Sequence, residues 1–474
     1  MEDEDFYNDD EVQDLIDEFK EMVDEDSYHF MDSDDLEMVA TELLGRFDFH
    51  YADAAIEHGG NLYPDAFSFK ILRVKRLMMG LDLEQAGAEL QKLEEEYPPS
   101  SELYMEKAFY LKMSATEEDA LPYIEKAYEL TPDDPEINFV LGSEYIRLSD
   151  YERGLSMICF ALENDESIEE QLFTLSYVFE DGQKFDEAVD FFTRLTDRYP
   201  LSKASWFGLG LAWCWKKEYM QAIDAYLNVI SLDEETSTAY FNIGNAYYEM
   251  HDYAMAMHYY EETYRIDDQD YHAVTGAADC LYQMGRPDDA LQYYHKAVDM
   301  TPDNTDALMG IITILKETGR DDEAEAFIRK AFDQDPQTFD MMFNVLPFFS
   351  DDAQLDKLKE FFHMTFSKLT SKEDLMTVFT IYCACKPEYR QLGIEVLEEY
   401  LDNVDVAKVV PYDLAALHYL SNNHAVASNY LKTALLINYE GHALFLSIHP
   451  DLILYPDVQR LIEIYRPKDT ECGN

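Results

Sequence analysis

With 12 His, 6 Cys and 98 Asp and Glu in 474 residues, this chain holds ample material for acid–base, nucleophilic or metal chemistry. The spacing assembles none of it. His251 and His258 stand seven apart, which could share a helix face, but a turn is expected between them. Cys383 and Cys385 form a Cys-x-Cys pair that would project in different directions from a helix. No His or second pair stands at metal spacing, so they read as ordinary buried thiols. Asp267, Asp268 and Asp270 lack the glycine and terminal Glu of a calcium loop. There is no Gly-rich phosphate loop, no His-Glu-x-x-His and no nucleophile elbow. Carboxylates are so frequent that a pair of them carries no catalytic information. The expectation is a chain that is not an enzyme and that uses no cofactor and no metal.

The spacing that does recur suits recognition. Phe139, Phe173, Phe207 and Phe241 follow one another at intervals of 34. Met105 precedes them in the same register, and Thr275 and Met309 follow. Phe109 and Tyr177 lie four residues beyond that position in their repeats. Tyr248 and Tyr282 lie seven beyond, and Trp215 one further on. Aromatic anchors of this kind are what peptide-binding surfaces use. Glu102, Glu136, Glu170 and Asp306 flank the stripe on one side, and Asp181, Glu249 and Glu317 on the other. A ligand meeting both would carry apolar side chains with Lys or Arg. Packing between repeats is the other reading of the same rings, and a general acidic coat is the other reading of the carboxylates. The one dense basic cluster is Lys70, Arg73, Lys75 and Arg76. It is either a docking site for an acidic partner or an internal counterweight to the acidic N-terminal segment or to Glu94, Glu95 and Glu96.

The elements that must position these residues are short helices in pairs. Ser237 to Asp270 reads as two helices joined by a tight turn, and the pattern returns 34 residues on either side. The small residue opening each second helix is Ala52, Ala86, Ala120, Gly154, Ala188, Ala222, Ala256, Ala290 and Ala324, nine in one register. A closing Pro recurs at 64, 98, 132, 200, 302 and 336. A fixed period of this length means a stacked-repeat solenoid, because one helix pair cannot bury both faces and must lean on its neighbours. Gly182, Gly285 and Gly319 fall in the turns, where positive φ costs Gly little. Pro287 suits the first turn of a helix.

Four segments follow. Residues 1–32 are an acidic segment in which Val12, Leu15, Ile16, Phe19, Met22 and Val23 make one apolar helix face, read as a cap, with 1–10 disordered. Residues 33–338 hold nine in-register repeats. Residues 339–441 hold about three degenerate ones, resuming one residue out of step at Gly393, Leu397, Ala427, Leu431 and Ala434. The run from Met341 to Phe349 is read as buried. Residues 442–474 form a C-terminal cap, with Val458, Leu461 and Ile462 as its inner face, and a fraying tail.

These repeats resemble the tetratricopeptide repeat (TPR) family. The likeness rests on a large apolar residue, Leu, Gly or Ala and Tyr in helix A, the small–aromatic–small pattern in helix B, and the closing Pro. It implies an all-α superhelical solenoid of about twelve helix pairs, with the fifth, ninth and twelfth positions of each helix A lining a concave groove. It also implies that Asn242 and Asn245 can hold a bound peptide's backbone, since Asn both donates and accepts. The family's clamp for a chaperone C-terminus needs Lys at the fifth position, which no unit here has, so that ligand is rejected.

Composition narrows the partner. Thirty-six basic against 98 acidic residues give a formal charge of −62, which argues against nucleic acid and against anionic membrane surfaces. The start, MEDEDFYNDD, has no basic and apolar pattern of a secretory signal. Scattered cysteines (Cys159, Cys214, Cys280 and Cys472 besides the pair) suit a reducing compartment. The expectation is a soluble, cytoplasmic scaffold or adaptor that holds a protein or peptide in its groove. A structural subunit that assembles through its ends is the alternative, and an enzyme hidden in 339–441 is another. Oligomeric state is not legible.

Overall fold

The computed structural model describes residues 9–25, 27–114, 120–334, 355–369 and 371–467. It is all-α, with no strand among the described residues. The chain parts into two compact units, Met1–Asp233 and Glu234–Asn474. In the first, the helices are α1 (Asp9–Asp24), α2 (Ser33–Gly45), α3 (Phe49–Leu62), α4 (Phe67–Met79), α5 (Leu83–Glu96), α6 (Ser101–Met113), α7 (Leu121–Leu130), α8 (Pro135–Arg147), α9 (Tyr151–Asn164), α10 (Ile168–Gln171), α11 (Phe173–Asp181), α12 (Phe185–Arg198), α13 (Lys203–Trp215) and α14 (Tyr219–Leu232). In the second they are α15 (Ser237–Glu249), α16 (Tyr253–Ile266), α17 (Tyr271–Gln283), α18 (Pro287–Met300), α19 (Thr305–Glu317), α20 (Asp321–Gln334), α21 (Leu355–Lys368), α22 (Lys372–Cys385), α23 (Arg390–Glu399), α24 (Val410–Leu420), α25 (His424–Ile437), α26 (His442–Ile448) and α27 (Pro456–Tyr465). No helix among the described residues is long and apolar enough to cross a membrane.

Several helices start where the sequence offers a cap. Side chains of Asp82, Ser100, Asp134, Asp150, Ser202, Asp252, Asp270 and Asn304 each accept from a backbone N–H two or three residues on. Part of the chain's acidity is therefore spent at helix N-termini, where a carboxylate meets free N–H groups and the positive end of the helix dipole. Pro287 opens α18 as expected.

Helices end in a turn that repeats with the same period. Phe47, Leu81, Ser149, Gln183, Lys217, His251, Gly285 and Gly319 all take positive φ, and they fall in one 34-residue register whose remaining member, 115, lies outside the described residues. In each, two backbone bonds close the helix, as in Ser149 N–H to Ile146 O (2.8 Å) and Asp150 N–H to Tyr145 O (2.8 Å). That is a Schellman cap. One expectation is corrected here: Gly182 sits at φ −74°, and the next residue, Gln183 at φ 51°, carries the left-handed turn. The cap geometry fixes the position, whatever residue occupies it. Asn422 takes the same conformation 103 residues after Gly319, one more than three periods.

The small residues do steric work. The register alanines from Ala52 to Ala324 are buried. A Cβ on Gly210 would meet the Tyr226 ring at 2.5 Å, and one on Gly244 would meet Tyr260 at 2.7 Å. Each aromatic of helix B fills the space that a small residue of helix A leaves. A second correction concerns the fifth repeat. The expected single helix A carrying Glu170 and Phe173 is broken into α10 and α11 at Leu172. The preceding repeat ends in Glu166 in place of the closing Pro, Ser167 makes no side-chain cap, and the first turn winds in tight three-residue bonds such as Leu172 N–H to Glu169 O (3.2 Å).

At the N-terminal end, α1 buries Ile16, Phe19 and Met22 against the first helix pair. In the second unit α24 is buried along its whole length. Val458 and Leu461 of α27 are buried there too, and Asp457 accepts from Tyr419 Oη (2.9 Å) and Ser428 Oγ (2.6 Å). Residues 1–8, 335–354 and 468–474 lie outside the described residues, and with them the apolar run from Met341 to Phe349, Pro336, Cys472 and most of both tails.

Candidate peptide-binding surface

Each candidate ring sits on a helix A. In the first unit, Met105 and Phe139 are only 7% and 4% exposed. They pack into the core and offer no surface to a ligand in this structure. Phe109 is partly buried beside them. Farther along, Phe173 is 41% and Tyr177 70% exposed. Phe173 meets Phe207 edge-on at 5.2 Å, and Phe207 meets Tyr226 at 5.4 Å. Trp215 packs on Phe185 at 5.6 Å. Glu170 and Asp181 are exposed near these rings in sequence, as are Glu102 and Glu136 on α6 and α8.

In the second unit the stripe opens into a depression of about 230 Å³. Phe241, Asn245 and Tyr248 of α15 line it with Tyr260, His272, Thr275, Asp279 and Asp306. The Asn245 side-chain oxygen accepts from Tyr260 Oη at 2.7 Å, which directs the amide by elimination to donate elsewhere. Asn242 donates to Thr238 O of its own helix at 2.9 Å. Tyr248 lies edge-on to Tyr253 at 5.4 Å. Tyr282 donates to Glu317 at 2.6 Å, and Glu249 is exposed. Burial pushes the Asp279 carboxyl above the usual range, a hydrogen bond from the Tyr294 hydroxyl opposes this, and nearby Asp306 adds to the rise. Two carboxylates thus face an aromatic-walled hollow.

The basic cluster is mostly spoken for. Lys70 is 3.9 Å from Glu96, Lys75 is 3.4 Å from Glu106, and Arg76 is 2.9 Å from Asp53. Arg73 is exposed.

Two buried carboxylates of the first unit were not singled out by the sequence pattern. Glu106 is 4% exposed, and burial pushes it up to about 7 against the pull of Lys75. Burial acts on Glu144 in the same direction, but hydrogen bonds from Arg147 and Lys112 outweigh it and hold the group low, with Lys112 at 2.8 Å. The available signal was a Glu on an otherwise apolar helix face. Thr275 belongs to the stripe register, whereas Asp279 and His272 were missed as wall residues because the hollow is assembled from successive repeats. Among the described residues no group of three potential metal ligands converges, and Cys159, Cys214, Cys280, Cys383 and Cys385 are free thiols.

Comparison with known proteins adds the family. Models described as "Tetratricopeptide repeat" match residues 172–202, 247–292 and 283–342, and one described as "TPR repeat" matches 210–250. Among solved structures, MamA is 20% identical, with 33% of this chain and 91% of that one covered and a TM-score of 0.31. YrrB, described as a TPR protein with an unusual peptide-binding site, is 22% identical over 37% and 91%, with a TM-score of 0.29. The Naa15/Naa10 structure bound to HypK-THB is 16% identical over 84% of this chain and 63% of that one, with a TM-score of 0.43. No curated protein matches the chain in sequence. Matched by family models within residues 172–342 and built of helix pairs that recur every 34 residues, the chain carries tetratricopeptide repeats.

Proposed function

We propose that the chain is a non-catalytic protein–protein interaction scaffold or adaptor, holding a segment with apolar and basic side chains along the aromatic face of its helices A. The observation that supports this is the second-unit depression. Three of the candidate residues, Phe241, Asn245 and Tyr248, line one hollow with Asp279 and Asp306. Aromatic faces and carboxylates together suit a Lys or Arg stem and head, by packing, cation–π attraction and charge. In this reading Asn245 engages a peptide backbone through its amide, its oxygen being held by Tyr260. We assign the protein to the cytoplasm on its free thiols and on the acidic composition, which disfavours nucleic acid and anionic membranes.

Panning random displayed peptides on the immobilised protein tests the reading. Enriched peptides should carry Lys or Arg next to large apolar residues. Tyr248→Ala and Asp306→Asn should each weaken the best of them about tenfold, the size of one good contact. Enrichment of acidic peptides, or equal binding by both variants, would sink it. A second reading, assembly through an end, draws on Leu436, Leu444, Leu454 and Ile464, all exposed on the last elements of the chain. Concentration-dependent self-association in sedimentation, lost on Leu454→Ser with Ile464→Ser, would favour that reading.

A further inference from the structure

We propose that the cleft between α3 and α4 in the first unit is a separate binding site, for a short acidic peptide segment that also carries an apolar side chain. The cleft measures about 670 Å³, and Lys70, Arg73 and Arg76 of α4 line it opposite Asp53 and Glu57 of α3. Spacing of three along a helix turns those cations toward one side. Their states differ. Arg76 is held by Asp53 at 2.9 Å and stacked over the Phe49 ring at 4.3 Å, so its charge is already answered. Lys70 lies over the Tyr97 ring at 4.8 Å and 3.9 Å from Glu96, a loose pairing that a better-placed anion can replace. Arg73 is exposed in the cleft and makes no ion pair among the described residues, Glu57 included. Among the cations of this cleft, Arg73 alone has no carboxylate partner among the described residues. Its fork suits a carboxylate with two parallel hydrogen bonds.

Size and lining choose the ligand. The volume fits a side chain or two with their backbone and far exceeds a single small anion. Half-buried Tyr63 forms apolar wall beside the cations, backed by the buried Phe69 ring that lies parallel to it with ring centres 6.3 Å apart. A nucleic acid or other long polyanion would run out over the acidic surface. A short segment meets repulsion only within the screening distance of about 8–10 Å.

The test is fluorescence anisotropy of a rhodamine-labelled peptide, about ten residues of Glu and Ser around one Phe, titrated with the full chain. Arg73→Gln should weaken binding about tenfold, as expected for loss of a charge-assisted pair. Gly60→Phe fills the cleft without changing a charge, at a site where a Cβ meets nothing within 4 Å, and should weaken it similarly. Lys92→Gln, on α5 and paired with Glu89 at 2.9 Å, should leave it unchanged. Circular dichroism confirms that each variant is folded. Failure of the wild type to bind, or an equal loss in Lys92→Gln, overturns the proposal. So does equally strong competition by an unlabelled single-stranded oligonucleotide.

Discussion

Asp413 shows what a single carboxylate can cost here. It lies on α24, 2% exposed, and its Oδ2 has no hydrogen-bond partner among the described residues. Burial raises its carboxyl well above the usual range. With the folded value above the unfolded one, both states hold the proton below about pH 4, and the group then costs nothing. As pH rises past that, the unfolded chain releases its proton first, and stability falls until the folded group also ionises. Asp413→Asn should therefore match the wild type near pH 4 and exceed it at pH 7, by up to about 1.4 kcal/mol for each pH unit over which the folded carboxyl stays protonated and the unfolded one does not. Urea denaturation at the two pH values checks this; a gap independent of pH would refute it. The sequence could not single out Asp413, Glu106 or Glu144, because 98 carboxylates hide the few that fold inward. Nor could it separate buried from open rings at the fifth position. Met105 and Phe139 share a register with Phe173, yet neighbouring helices cover the first two and leave the third open.

At the scale of elements the 34-residue frame was legible, since nine small residues and six closing Pro recur in step. The turn was legible in place but not in residue type. The cap requires positive φ at one position, and Leu81 or Lys217 takes it as surely as Gly285. Strain there is a cost the fold carries, roughly 1–2 kcal/mol for a side chain in that region. Leu81 is 74% exposed, so replacing it loses little packing. Leu81→Gly should stabilise by about 0.5–1 kcal/mol after the entropy that Gly adds to the unfolded chain. Gly285→Ala, with nothing within 4 Å of its Cβ, should destabilise by about 1 kcal/mol through φ alone. Thermal melting of the pair should give shifts of opposite sign. A neutral Gly285→Ala would mean the turn relaxes and stores no strain. The break at Leu172 was not legible, because losing one Pro and one cap leaves the periodicity of the helix intact.

For the whole molecule the governing quantity is charge. The segments at 1–32, 33–338, 339–441 and 442–474 are proposed from the quality of the repeat register, whereas compactness divides the chain after Asp233. The acidity runs through all of these. Local ion pairs use many of the cations, as in Lys203–Asp233 at 2.7 Å and Arg194–Glu152 at 2.7 Å. Exposed pairs of this kind contribute at most about 1 kcal/mol each. The 36 bases cannot answer 98 acids, so long-range repulsion among the excess carboxylates works against the compact state. Salt weakens both effects, and the excess decides the net sign. Raising sodium chloride from about 20 to 300 mM, which shortens the screening length from roughly 20 to 6 Å, should raise the melting temperature. The same change should weaken a basic peptide in the second-unit depression, where attraction between opposite charges at the rim is screened while aromatic contact persists. Stability and affinity should thus move in opposite directions along one salt series, followed by calorimetry and by peptide titration. A melting temperature that falls with salt would show that local pairs outweigh the repulsion. An affinity indifferent to salt would remove Asp279 and Asp306 from the account of binding and leave the aromatic rings alone.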